Sequence, residues 1–298
     1  QLHEAITSIW KTDEIKRERP TPTEEARWGL AVIEDSLWNA IPKITSRLDN
    51  VIKKHTGKSL PINFSPITFG SWMGGDRDGN PYVTKEITEE VVLLSRWAAA
   101  NLYEKELTKL IQDLSMHECS KNISRNQGKD GRRGPWEPYR VFLRPIRDKM
   151  KTTQTSIEAH LNDRSNLNQS LMVQSIDELI KPLTEVYNSL CSVKCEVIAN
   201  GLTLNLLRRA YAFGLNLAKL DIRQSSEKHI DLMAGIIKHI GLGNYNEWTE
   251  EEKINFLSKE FKSKRPLIPH NINLNKENLE VWQTFKMISR LPDECLGA

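Results

Sequence analysis

Several things this chain lacks narrow what it can be. Only four of its 298 residues are cysteine (Cys119, Cys191, Cys195 and Cys295), too few and too scattered for a disulfide framework, so reduced thiols are expected. Cys191 and Cys195 stand four apart in a helical pattern, which puts them on one face, but no histidine or second cysteine pair stands nearby to complete a metal site. No apolar run approaches the roughly 20 residues that span a bilayer, and the first residues lack the apolar core of a signal peptide. The expectation is a cytoplasmic protein with no membrane partner. An excess of one charge is also missing: Lys and Arg total 42 against 39 Asp and Glu, a formal +3. The Arg132-Arg133 and Arg208-Arg209 pairs are too little to draw nucleic acid, so partners must be argued from sites. Finally, the chain opens on Gln1 rather than Met and stops after Leu291-Pro292-Asp293, where another element would start. It reads as an internal piece of something longer.

What is present is mostly helical periodicity. Leu2 to Trp10 holds it, and Thr21-Pro22-Thr23-Glu24 is a helix start with a cap, a first-turn proline and a capping box. Trp28, Ile33, Leu37, Trp38, Ile41, Ile44 and Leu48 continue the period, with Pro42 a kink or junction and Gly57 a stop. Thr84 or Thr88 caps the next helix, which carries Val91 to Leu114. Further helices are expected over Tyr139–Leu161, Ile176–Ile198 (interrupted by Pro182), Leu202–Phe213, from Ser226 to Gly241, from the Thr249/Glu252 capping box to Phe261, and from Glu277 to Ser289. Residues 120–135 contain the stretch Asn126 to Gly134, which lacks apolar anchors, and are expected to form a mobile loop. Two stretches alternate instead, around Ile62, Phe64 and Ile67, and around Leu215, Leu217, Leu220 and Ile222, and predict strands.

The first strand runs into Phe69-Gly70-Ser71-Trp72-Met73-Gly74-Gly75-Asp76-Arg77-Asp78-Gly79-Asn80-Pro81. Four glycines, a tryptophan and three charges in one loop exceed what a connector needs, since backbone free of side chains can approach another chain segment or a ligand closely. Asp76, Arg77 and Asn80 could order the loop by internal hydrogen bonds or contact a ligand. Trp72 reads either as a pocket wall or as a core tryptophan. The second strand ends in Asp221-Ile222-Arg223-Gln224-Ser225-Ser226, an arginine at the carboxyl edge of a strand, where active sites form in α/β barrels. A guanidinium there can grip phosphate or carboxylate through two parallel hydrogen bonds. It could equally pair with Asp221 or a neighbouring acid.

These two motifs resemble the phosphoenolpyruvate carboxylase family. Ser71 to Pro81 is similar to its glycine-rich signature, and Asp221-Ile222-Arg223-Gln224 to its phosphate-binding strand end. Trp10 to Ile15, Arg19 to Pro22, Glu137 to Arg140, Ile198 to Gly201 and Lys264 to Leu267 extend the resemblance from Leu2 to about Pro292, most closely to bacterial members. The resemblance implies a single, mainly α piece over residues 1–298: the helical region of a TIM-like α/β barrel enzyme, contributing about two barrel strands near 62–72 and 215–223. It implies a carboxy-lyase, an allosteric homotetramer that makes oxaloacetate and phosphate from phosphoenolpyruvate and bicarbonate. Arg223 would bind the phosphate and Trp72 would wall the carbon dioxide pocket, with Gly74, Gly75, Asp76, Arg77, Asp78, Gly79 and Asn80 beside the active site. Lys16 and Arg17 match a region where plant members hold a sugar-phosphate activator, though Lys16 lacks the forked donor of the arginine found there.

The same resemblance puts the chemistry elsewhere. The catalytic histidine of a His-Pro-Thr motif would precede Gln1. The active-site lysine, the His-Gly-Arg-Gly-Gly loop and the acids that hold Mg2+ or Mn2+ would follow Ala298. None of the seven histidines stands in a His-Pro-Thr context, so no catalytic residue and no metal ligand is expected in this chain, and alone it should be inactive. The alternative is a non-catalytic helical module that binds an anionic ligand through the glycine loop and Arg223. A reading frame that continues past Ala298 into His-Gly-Arg-Gly-Gly favours the enzyme; a stop codon favours the module.

Overall fold

The computed structural model describes residues 2–12, 19–78, 80–125, 137–163, 166–264, 266–269 and 272–297. Helix α1 (Leu2–Lys11) leaves Leu2, Ile6, Ile9 and Trp10 facing outward. Helix α2 (Pro22–Val32) starts on the expected capping box, Glu24 N donating to Thr21 Oγ1 at 3.3 Å and Thr21 N to Glu24 Oε2 at 2.8 Å. It passes through a π-helical turn at Ile33–Leu37 into α3 (Trp38–Thr56), which Gly57 ends at φ 73°. The helix therefore runs through Pro42, and the irregularity lies one turn earlier. Proline offers no N–H to the carbonyl of Trp38. Arg209 takes its place: Nε donates to that carbonyl at 3.0 Å, Nη1 to Glu106 Oε2 at 3.1 Å, and the guanidinium sits 5.2 Å from the Trp38 ring centroid.

Two long helices form the centre of the molecule. Helix α4 (Lys85–Asp113) and α6 (Pro138–Asp163) run antiparallel. Arg140 at the start of α6 donates from Nε and Nη2 to the carbonyls of Ile111 and Gln112 at the end of α4, at 2.7 and 2.6 Å, while Ile157 packs beside Leu93 at the other end. Those carbonyls have no partner within their own helix, which is why a cation is favoured there. Between them lies α5 (Lys121–Arg125), with Ile123 fully buried and Ser120 N bonded to Ser189 Oγ at 2.8 Å. The expected loop over 120–135 is thus a helix in its first part, pinned by the one apolar residue that the reading passed over; residues 126–135 lie outside the described residues.

Helix α7 (Asp177–Ser192) stops before the expected Ile198, because the chain turns at Lys194 with φ 60°. Cys195 therefore sits past the helix end rather than on one face with Cys191. Helix α8 (Glu196–Ile198), a π turn at Ala199–Thr203 and α9 (Leu204–Phe213) follow. Trp38, Tyr103, Leu107, Tyr139, Leu183 and Phe213 lie in the one large core that these helices share. The remaining helices are α10 (Ser226–His239), α11 (Glu250–Phe261) and α12 (Lys276–Ile288), the second opening on the expected Thr249/Glu252 box.

The strands are shorter than the alternation predicts. Strand β1 (Gly70–Ser71) pairs in parallel with β2 (Lys219–Leu220), Gly70 opposite Lys219. Residues 62–69 contain Pro66, which cannot donate to a ladder. Over 215–218 the backbone bonds to α4 instead: Leu217 N to the Ser95 carbonyl at 3.4 Å and Ala218 N to Ser95 Oγ at 3.2 Å, with Asn216 Nδ2 on the Val92 carbonyl at 3.2 Å. On the other edge of β2, Leu296 forms a parallel bridge with Leu220, and Gly297 N donates to the Leu220 carbonyl at 2.9 Å.

Replacing Arg209 with Leu should destabilise the chain by about 3 kcal/mol in urea unfolding, because the Trp38 carbonyl and Glu106 lose a buried partner. In a Pro42→Ala background, where residue 42 regains an N–H, the penalty should shrink. An equal penalty in both backgrounds would mean that Arg209 does not serve that carbonyl.

Candidate functional site

The glycine loop lies against the end of β2 at a distance that only glycine allows. The amides of Gly75 and Asp76 both donate to the Trp72 carbonyl, at 2.9 and 3.0 Å, closing a tight turn. Gly74 sits at φ 79°, and a Cβ there would stand 2.6 Å from Val91 Cγ2; one on Gly75 would stand 2.2 Å from the carbonyl oxygen of Asp221. That oxygen is backbone and cannot swing away. The loop continues the ladder of β1 and β2 beyond their ends. Lys219 N donates to the Phe69 carbonyl, Asp221 N to Ser71, Arg223 N to Gly75 and Arg77 N to Arg223, at 3.1, 2.8, 3.0 and 3.0 Å.

This ladder brings Asp76 opposite Arg223 in a parallel bridge, and their side chains meet at 3.5 Å between Oδ2 and Nη1. The pair is solvated, with Arg223 63% and Asp76 31% exposed. Of the two partners weighed for Arg223, the acid it meets is thus Asp76. The other oxygen of Asp76 accepts the amide of Asp78 at 3.3 Å, and Asn80 Oδ1 accepts the amide of Tyr82 at 3.1 Å, so both residues order the loop internally. Asp78 is exposed. Trp72 is 60% exposed, which removes the reading of it as a core tryptophan in this chain. Arg77 is buried, its Nη2 on Thr88 Oγ1 at 2.5 Å and its Nη1 on the Gly75 carbonyl at 3.3 Å. Gly79, Lys16 and Arg17 lie outside the described residues.

Two contributors escape a reading of motifs. Thr84, not Thr88, caps α4, accepting the Ile87 amide. Thr88 instead donates to the Gly74 carbonyl at 2.7 Å and ties the loop to the helix. Its signal is a threonine inside a helix four residues after the cap. The second is the 293–297 segment. Glu294 accepts from Ser175 Oγ and the Ile176 amide at 2.8 and 3.1 Å, and Cys295 is fully buried. Burial pushes the Cys295 thiol up to about 11 against the opposing pull of Arg96, so it is neutral and unreactive near pH 7.

Among the described residues, no group of three or more His, Cys, Asp or Glu side chains converges as a metal site. The nearest acid, Asp76, is already engaged by Arg223 and the Asp78 amide. The described residues do not form a donor set for Mg2+ or Mn2+. What they do form is an exposed guanidinium whose backbone is fixed on both sides, an arrangement suited to gripping an oxyanion.

A family model described as phosphoenolpyruvate carboxylase matches residues 1–298. Proteins named phosphoenolpyruvate carboxylase include one from Vibrio vulnificus (strain CMCP6), 42% identical over 298 residues, and one from Hahella chejuensis, 44% identical over 298 residues. A third, from Psychromonas ingrahamii, is 43% identical over 297 residues. Each alignment covers 100% of this chain and 33% of the relative, so the chain spans about a third of the length of these relatives.

Alanine at Gly75 should cost about 2 kcal/mol or more in urea unfolding, because backbone must move to admit it. Alanine at Gly57, where φ is positive but nothing stands within 4 Å, should cost only about 1 kcal/mol. Equal losses would show that the loop does not rest on the Asp221 carbonyl.

Proposed function

The chain belongs to the phosphoenolpyruvate carboxylase family, and from that membership we propose that it is part of an enzyme forming oxaloacetate and phosphate from phosphoenolpyruvate and bicarbonate. In this reading residues 1–298 are a single mostly helical portion of a TIM-like barrel enzyme, and the short parallel ladder of β1, β2 and Leu296 is the beginning of the barrel wall. The reaction is anaplerotic carbon fixation: bicarbonate attacks the phosphorus and the bond to the enol oxygen breaks, giving carboxyphosphate and the enolate of pyruvate; carboxyphosphate then splits into carbon dioxide and phosphate, and the enolate takes up the carbon dioxide to give oxaloacetate. A divalent ion, Mg2+ or Mn2+, held by acids outside this chain, would supply charge stabilisation for the enolate. The parent would be a cytoplasmic, allosterically regulated homotetramer, with Lys16 and Arg17 in its effector region.

The observation that carries the reading is Arg223. Its backbone is locked between Gly75 and Arg77, yet its guanidinium remains largely solvated, and among the described residues it is held by a 3.5 Å pair with Asp76. A cation placed in this way can exchange a weak surface partner for a doubly charged phosphate at little cost. Arg223 would neutralise the phosphate as it accepts the nucleophile and leaves the enolate. Trp72, exposed on the same loop, offers a rigid apolar wall that keeps water from the carbon dioxide. Gly74 to Asp78 and Asn80 shape this edge without reacting.

Two measurements test the reading. In the full-length enzyme, Arg223→Ala should raise KM for phosphoenolpyruvate on the order of tenfold to a hundredfold, as expected for a lost charge-assisted contact; an unchanged KM would sink the assignment. The 298-residue chain alone should produce no oxaloacetate from phosphoenolpyruvate, bicarbonate and magnesium in a coupled dehydrogenase assay. Measurable turnover would mean that catalytic groups lie within it.

A further inference from the structure

The buried side of the glycine loop carries a second guanidinium whose hydrogen bonds lead toward Arg223 rather than toward solvent. Arg77 is 9% exposed and Thr88 is fully buried. Arg77 Nη2 donates to Thr88 Oγ1 at 2.5 Å and lies 3.5 Å from the Thr84 carbonyl, while Nη1 donates to the Gly75 carbonyl at 3.3 Å. Thr88 in turn holds the Gly74 carbonyl at 2.7 Å. The Gly75 carbonyl is also the acceptor for the Arg223 amide, and the Arg77 amide donates to the Arg223 carbonyl, both at 3.0 Å. Both peptide groups flanking Arg223 are thus bonded to residues that Arg77 and Thr88 hold in place.

A need for stability alone does not account for this arrangement. Burial pulls the Arg77 guanidinium down from its usual pKa, and Glu280 only partly offsets that. Its bonding partners here are neutral oxygens, and buried charges of this kind are often replaceable by apolar residues without loss of stability. What neutral, directional acceptors provide is orientation. The loop they orient is the one that carries Asp76, whose carboxylate meets the Arg223 guanidinium.

We infer that Arg77 and Thr88 are positioning residues: together they fix the Gly74–Asp76 backbone and, through it, aim Arg223 at the phosphate of the substrate. Neither touches that substrate. The inference rests on the phosphate role of Arg223 proposed above.

The test is a double-mutant cycle in the full-length enzyme, with thermal midpoints recorded for every variant. Thr88→Val, which keeps the shape and removes the hydroxyl, should raise KM for phosphoenolpyruvate about tenfold with kcat within about twofold, as for lost ground-state binding. Thr88→Ser should restore KM. In an Arg223→Ala background Thr88→Val should add no further increase, because the contact it aims is gone. If Thr88→Val does not fold, Arg77→Lys, which keeps the charge and loses the second arm, takes its place in the same cycle with the same expectation. An unchanged KM in the single variant, or an equal increase in both backgrounds whatever the thermal midpoint, overturns the positioning role and leaves the phosphate role standing. An Arg223→Ala variant with unchanged KM overturns the phosphate role itself.

Discussion

The glycine loop can lie along the end of β2 only because nothing projects from Gly75 toward the Asp221 carbonyl, which a Cβ would meet at 2.2 Å. The rest of the site follows from that contact. With the two backbones this close, Arg223 N reaches the Gly75 carbonyl and Arg77 N reaches the Arg223 carbonyl. Asp76 is then forced opposite Arg223. The side chains on either side of the ladder diverge: Arg77 turns down onto Thr88 and α4, while Arg223 turns out to solvent. One loop thus has an anchored face and a working face, and the glycines are what separate them.

Arginine does a common job across the molecule. Arg209 takes up the carbonyl that Pro42 orphans, Arg140 the last carbonyls of α4, and Arg96 the carbonyl of Val173. Each marks a place where regular secondary structure fails to satisfy its own backbone, and a planar fork of donors meets the need better than any other side chain. The small formal charge of +3 therefore overstates the cation available at the surface. Arg77, Arg96, Arg208 and Arg209 are all buried, whereas Arg223 is exposed.

Local signals in the sequence were legible where the cause is local. The capping boxes at Thr21 and Thr249 and the stops at Gly57 and Gly241 depend on residues within one turn, and each forms as the pattern requires. The strands were not legible in their extent, because alternation cannot reveal where a backbone finds its partners. Asn216 sits between two buried leucines as a polar residue should in a strand, yet it is itself buried, with its amide on the Val92 carbonyl. The helix end at Lys194 had no glycine or proline to announce it. The motifs named the loop and the strand end, which the ladder pairs, but the separate fates of Arg77 and Arg223 depend on which way each side chain leaves the ladder. That is tertiary information.

The Asp76–Arg223 pair also constrains what the proposed site can bind. At 3.5 Å and largely solvated, it is a weak pair whose stabilisation in water is about 1 kcal/mol or less. It contributes little to holding the fold together, and under the proposed function it would limit how far the guanidinium wanders before an anion arrives. A singly charged carboxylate would gain little by displacing one that is already tethered. A phosphate carries more charge and three oxygens, and can take the fork in two parallel bonds while Asp76 keeps its bond to the Asp78 amide. Under the proposed function, the acid beside Arg223 thus favours phosphate over simple carboxylates. The discrimination depends on Asp76 staying where the loop puts it, and so on the glycine contact from which the site is built.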